Sequence, residues 1–289
     1  MSSPTLPVSA YLAAAPHAQV LGRLDLGFGA SATLWRNRDA RVHYEAPQGH
    51  TFSFYLRGGE GTRRVDLQDP ARGWTGAVCL MPEGQSSDWE ITESCDFVHL
   101  HLPDAELRRA YALTCDRDAR LMDPADLTYV HAPELAAPFL VLQSAIRAGA
   151  RLAAEGAMAE LLGRIFAEGR YAAPARVALT GGLAPHRLRL IRDHIEAHLA
   201  QPIHLRDLAQ LADLSEFHLQ RSFRASTGVT PQGWISGRRI ACAKALIAAG
   251  EPLIQVAMAC GYDSQSHFTR AFKSAMGVTP GRFQTEIRS

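Results

Sequence analysis

The chain has 289 residues, 47% hydrophobic and 20% charged, an ordinary globular composition long enough for about two domains. Thirty Lys+Arg against 29 Asp+Glu leave +1, so no global charge excess points to nucleic acid or an anionic membrane, and no apolar run reaches the ~20 residues of a membrane span. The start lacks the basic and apolar regions of a signal peptide, and the five cysteines (Cys79, Cys95, Cys115, Cys242, Cys260) include no C-x-x-C pair. These features argue against a disulfide framework or a cysteine zinc site and lead to the expectation of a soluble, cytoplasmic protein.

From about residue 30 to 102, Gly and Pro cut the chain into short alternating runs. Thr51–Leu56 precedes Gly58-Gly59-Glu60-Gly61, and Asp88–Thr92 and Phe97–Leu102 alternate by twos. Such alternation predicts half-buried strands. The aromatics Trp35, Phe52, Phe54, Trp74, Trp89 and Phe97 lie in or near these runs and read as core. From Asp104 the texture becomes Ala/Leu/Arg-rich and helical. Residues 153–171 place Met158, Leu161, Leu162, Ile165 and Phe166 on one face at three- and four-residue spacing. That helix is a candidate dimer element, the alternative being a helix packed only on its own domain. Residues 172–185, with Pro174 and Gly181-Gly182, read as a linker.

Beyond the linker the chain repeats itself. Ser215–Pro231 recurs 49 residues later as Ser264–Pro280, with eight of seventeen positions identical: Ser215/Ser264, His218/His267, Arg221/Arg270, Phe223/Phe272 and Gly-Val-Thr-Pro in both. Each copy predicts a short helix capped by Ser at its start and closed by Gly228 or Gly277, with Pro231 or Pro280 just beyond. Leu219 with Phe223, and Phe268 with Phe272, form buried stripes. Phe217, Arg221 and Arg224, and likewise Ser266, Arg270 and Lys273, lie opposite. Shorter helical stretches, 204–212 and 252–261, precede the copies, giving two helix-turn-helix patterns. Residues 234–249 read as one helix between them, ~24 Å long, beside the ~34 Å that separates successive major grooves on one face of B-DNA. Charge follows the same division: residues 186–289 hold thirteen Lys+Arg against eight acids, a net +5, and the remainder is −4. A basic region of this kind attracts an anionic partner.

Residues 186–289 resemble the DNA-binding domain of AraC/XylS-type transcription regulators. The resemblance is carried by Ser215, Leu219, Phe223, Gly228 and Pro231; by Arg239, Ala243 and Leu246; by Ile254, Ala257 and Gly261-Tyr262; and by Ser264, Phe268, Arg270, Phe272-Lys273, Gly277, Pro280 and Phe283. It implies an all-α domain of two helix-turn-helix units joined by a central helix. Residues 1–171 resemble, through strand texture and through Met81-Pro-Glu-Gly84 followed by Phe97 and His101, the cupin-like β-barrel sensor such regulators carry, with accessory helices that dimerise. The expected fold class is α+β.

The resemblance also implies roles. The first reading helix would offer Phe217, Gln220 and Arg221 to double-stranded DNA, with Glu216, His218 and Arg224 at its rim. The second would offer Gln265, Ser266, His267 and Arg270, with Thr269 and Lys273 on phosphates. The chemistry suits: arginine pairs bidentately with guanine, glutamine with adenine, and an aromatic touches a thymine methyl. The expected protein is an effector-responsive activator, a homodimer that works with RNA polymerase, is nucleoid-associated when DNA-bound, and is neither an enzyme nor a cofactor carrier. His99 and His101, two apart, share one strand face, and His43 and His50 lie upstream in the sequence, which raises a metal-dependent cupin-type enzyme as an alternative. Val98, Leu100 and Leu102 claim the inward face, however, and no further ligand follows at cupin spacing, so no metal site is expected. A ligand-free dimeric regulator is the second alternative. No residue is singled out as an effector contact.

Overall fold

The structure, a computed structural model, describes residues 6–69, 71–172 and 180–288. Most of the expected linker, residues 173–179, lies outside them. The fold is α+β, in two compact units. One comprises Met1–Asp104 with Asp123–Pro174, the other Ala105–Met122 with Ala175–Ser289. Segment 105–122, placed by its position in the chain with the sensor, therefore packs with the C-terminal helices.

The first unit opens with helix α1 (Val8–Ala14) and strands β1 (Gln19–Gly27), β2 (Ala30–Asn37), β3 (Ala40–Tyr44), β4 (His50–Arg57), β5 (Thr62–Arg64), β6 (Ala77–Met81), β7 (Ser87–Ile91) and β8 (Cys95–Leu102). After helix α2 (Asp104–Cys115) come β9 (Leu127–His131), α3 (Pro133–Ala148) and α4 (Arg151–Ala167). The strands form two antiparallel sheets, β1-β2-β8-β4-β6-β9 and β3-β7-β5, rather than the closed barrel that strand texture suggests. Trp35, Tyr55 and Phe97 of the larger sheet share one buried cluster with Val42, Tyr44, Trp89 and Ile91 of the smaller. Of the aromatics read as core, Trp74 alone is only partly buried.

Strand β8 overturns the inward–outward assignment made from its alternation. Paired on both edges, it is also covered on both faces. Phe54, opposite Val98 in the register, stacks on Phe139 of α3 at 5.3 Å, so the Val98–Leu100–Leu102 face lies under a helix. Phe97 and His99 point instead between the sheets, where His99 is 5% exposed. A period of two reports which residues share a face but not which face is drier, and here both are buried.

In α4, Leu161, Leu162 and Ile165 are buried within the first unit, where the helix pairs with α3. Met158 and Phe166 of the same stripe are half-buried. The exposed apolar residues of this helix pair are Leu140 and Val141 on α3 and Leu152 on α4.

The C-terminal helices are α5 (Pro185–Ala197), α6 (Leu205–Leu211), α7 (Glu216–Thr227), α8 (Pro231–Ala248), α9 (Leu253–Ala259), α10 (Gln265–Met276) and α11 (Pro280–Glu286). No helix among the described residues is long and apolar enough to cross a membrane.

Candidate nucleic-acid interface

Local chemistry sets both ends of the duplicated helices. Ser215 Oγ accepts from the His218 backbone N–H at 3.3 Å, and Ser264 Oγ from that of His267 at 3.2 Å. Gly228 and Gly277 close the helices in the left-handed region at φ +83° and +74°, which an L side chain resists. The shared Thr-Pro then starts the next helix. Thr230 and Thr279 are N-caps, accepting from Gly233 and Arg282 backbone N–H groups at 3.1 and 3.3 Å, with Pro231 and Pro280 as first helical residues. The identity of Gly-Val-Thr-Pro in both copies thus has a mechanical cause: a stop and a start. The threonine cap is a role that sequence reading missed, although a Thr-Pro after a closing Gly was its signal.

Leu219, Phe223, Phe268 and Phe272 are fully buried. Phe223 meets Trp234 of α8 edge-on at 5.8 Å, and Phe272 meets Phe283 of α11 at 5.4 Å. The linking helix starts three residues earlier than its hydrophobic pattern implies, and its 18 residues span ~27 Å.

The opposite faces are open. On α7, Glu216, Phe217, His218, Gln220, Arg221 and Arg224 are all exposed, Phe217 at 77%. On α10, Gln265, Ser266, His267, Arg270 and Lys273 are exposed and Thr269 is half-buried. His267 also sets its ring edge-on to Tyr262 at 5.4 Å. The structure thus gathers the twelve predicted residues into two surface patches, one on each helix.

Several other cations of the unit are paired, and those of the patches are not. No intramolecular hydrogen bond or ion pair engages the side chains of Arg221, Arg224, Arg270 or Lys273 among the described residues. Elsewhere, Arg192 pairs with Asp116 at 2.7 Å, Arg238 with Glu196 at 2.5 Å and Arg282 with Glu286 at 2.8 Å. Arg239 donates to the Leu199 and Gln201 carbonyls and lies 5.7 Å from the Tyr262 ring. Four uncommitted cations among exposed amides and an exposed aromatic form a surface suited to a polyanion with readable edges.

The sheet unit supplies a second, weaker site. Between the sheets lies a cavity of about 20 Å³, lined by Asn37, Ser53, Tyr55, Cys79, Phe97 and His99 among others. That is room for about one water. Burial lowers the His99 pKa to about 3, and burial, with His50 and Arg23 nearby, lowers that of His101 to about 4, so both imidazoles are neutral at pH 7. Burial pushes the Cys79 and Cys95 thiols up to about 12. His50 contacts Asp104 at 3.1 Å, and His43 sits between Glu45 and Asp88 at the surface. His43 and His50 thus have separate partners, the buried Nδ1 atoms of His99 and His101 have no hydrogen-bond partner among the described residues, and no group of three metal-ligating side chains converges among them.

A family model described as a helix-turn-helix domain matches residues 208–286. "Probable transcriptional regulator LumQ" of Photobacterium leiognathi is 39% identical over 100 residues, 34% of this chain and 40% of that protein. "Transcriptional regulator Rob" of Salmonella typhimurium is 38% identical over 99 residues, 33% of this chain and 34% of that protein. This chain thus spans two-fifths or less of the length of these relatives. The solved structure of ToxT from Vibrio cholerae O395 aligns with 89% of this chain and 98% of its own, at 15% identity and a TM-score of 0.38, too loose to carry the fold assignment. Capped repeat, linking helix and family match agree, and the chain carries at residues 208–286 a helix-turn-helix domain of the AraC type.

Proposed function

We propose that this protein is a sequence-specific DNA-binding transcription regulator whose helices α7 and α10 read two adjacent major grooves. One observation carries this reading: the duplicated helix twice presents an exposed face whose cations have no hydrogen-bond or ion-pair partner among the described residues. Arg221 and Arg270, the shared arginines, are the base readers; Gln220, Gln265, Ser266 and Phe217 add readout. His267 adds to the readout of the second helix, Lys273 and Thr269 hold phosphates, and Glu216, His218 and Arg224 stand at the rim of the first. The names of LumQ and Rob support a regulator rather than an enzyme.

In this reading the sheet unit responds to a small-molecule effector, and the protein acts as a homodimer in the cytoplasm, on the nucleoid, with RNA polymerase as its partner. The effector works by favouring the DNA-competent arrangement over the other. The test is selection of genomic fragments by the purified protein at two salt concentrations, beside an Arg221→Ala/Arg270→Ala double variant. Paired motifs about one helical turn apart, lost in the variant, are expected. Equal recovery of all fragments, or motifs that survive in the variant, would contradict the proposal.

A further inference from the structure

The helical unit includes one segment from outside the C-terminal third. Residues 105–122, comprising α2 beyond Asp104 and a short 3₁₀ turn at Ala119–Leu121, lie directly after β8 in the chain. Ala112 and Ala119 are fully buried in one cluster with Leu188, Ile191, Leu219, Phe223 and Trp234. Arg192 Nη1 of α5 donates to the Ala112 carbonyl at 3.0 Å and to Asp116 Oδ1 at 2.7 Å, and its guanidinium lies 5.2 Å from the Trp234 ring.

The tightest tie runs to the first duplicated helix itself. Ser226, fully buried near the end of α7, donates its hydroxyl to Asp118 Oδ2 at 2.9 Å and accepts the Leu183 backbone N–H at 2.9 Å. Arg120 holds the same carboxylate through Nε at 2.8 Å and Nη2 at 2.7 Å, and reaches the Thr180 carbonyl at 2.5 Å. At the end of α7 the approach is close: a Cβ on Gly228 would lie 2.5 Å from Arg108 Cβ and 3.1 Å from the Ala105 carbonyl oxygen.

The repeat shows that this tie is particular to the first copy. Forty-nine residues after Ser226 stands Ala275, which has no hydroxyl to offer. The segment also leaves Phe217, Gln220, Arg221 and Arg224 exposed, so it supports α7 from behind and does not cover its outer face.

We propose that Asp118 is a positioning residue for DNA readout: segment 105–122 braces α7 through Ser226 and holds the first reading face in register, while α10 stands without such a brace. This rests on the DNA-binding reading above.

The experiment uses the full chain and two readouts. Hydrogen exchange in an Asp118→Ala variant should accelerate across residues 216–227 and at Leu183, and stay unchanged across 265–276. Affinity for a selected two-half-site duplex should fall about tenfold, the scale of one hydrogen bond to a charged group, and should not fall when the half-site read by α7 is already scrambled. Asp118→Asn, which keeps an oxygen for Ser226, should recover most of the loss, and Ser226→Ala should reproduce it should Asp118→Ala not fold. Exchange that rises equally in both helices or in neither, or an affinity loss indifferent to the scrambled half-site, would overturn the brace. Exchange confined to α7 in a chain that binds no specific DNA would uphold the brace and fell the proposed function.

Discussion

The two helix-turn-helix halves share a mould and differ in their support. Both duplicated helices begin at a serine cap, bury a hydrophobic stripe and close on a left-handed glycine. Behind α7 the packing is mixed, with Ala112, Ala119, Trp234 and the Asp118–Ser226 hydrogen bond. Behind α10 it is an aromatic chain, Tyr262–Phe268–Phe272–Phe283, with ring centroids 5.3 to 5.6 Å apart. The difference teaches that a duplicated motif keeps what makes a helix start and stop, while its back adapts to the neighbours it has. The first back carries a polar contact to a segment from outside the domain.

The largest test of that contrast is truncation of the two buried stripes. Phe223→Ala and Phe272→Ala should each cost about 3–5 kcal/mol, measured by urea unfolding, because each ring is fully buried and leaves a cavity. Comparable costs are expected from unlike surroundings, whereas a near-neutral result at either position would break the account of that core.

The helix ends should respond less. Gly228→Ala and Gly277→Ala force an alanine into the left-handed region, at roughly 1–2 kcal/mol each. Gly228→Ala should also disturb Arg108 and with it the brace, visible as faster exchange in α7. Ser215→Ala and Ser264→Ala should each lower stability by about 1 kcal/mol, the worth of an N-cap.

Acid is the finest probe. Burial alone would raise the Asp118 carboxyl, but hydrogen bonds from Arg120 and Ser226, with the guanidinium charge, hold it below the ordinary carboxylate value. A group whose folded pKa is depressed adds stability above its unfolded pKa and loses it as pH falls through the folded one. Protection of α7 against exchange should therefore hold through neutral pH and fall in acid before that of α10. Simultaneous loss would remove Asp118 from the explanation.

Much of this architecture is legible in the sequence because it is local. Caps, glycine stops and the i, i+4 stripe are written within a dozen residues, so both duplicated helices and their outward faces could be placed from the repeat alone. What stayed hidden depends on distant partners. Ala112 and Ala119 carry no signal that they belong to a core formed 70 to 120 residues later. Ser226 reads as one more polar helix residue until Asp118 is beside it. In β8, His99 resembles a solvent-facing residue because alternation cannot show that a helix covers the other face. The apolar stripe of α4 reads equally well as a dimer seam or a packing face, and its sequence does not show that Leu161, Leu162 and Ile165 pack within their own unit.

The central claim is that each duplicated helix reads its own half-site. It is met most directly by titrating wild type, Arg221→Ala and Arg270→Ala against a selected duplex and against versions with one half-site scrambled. The account predicts that each variant loses about ten- to hundredfold on the intact site and loses nothing further where its own half-site is already scrambled. Losses that ignore which half-site is scrambled would contradict it, and would leave both arginines as sequence-blind phosphate contacts.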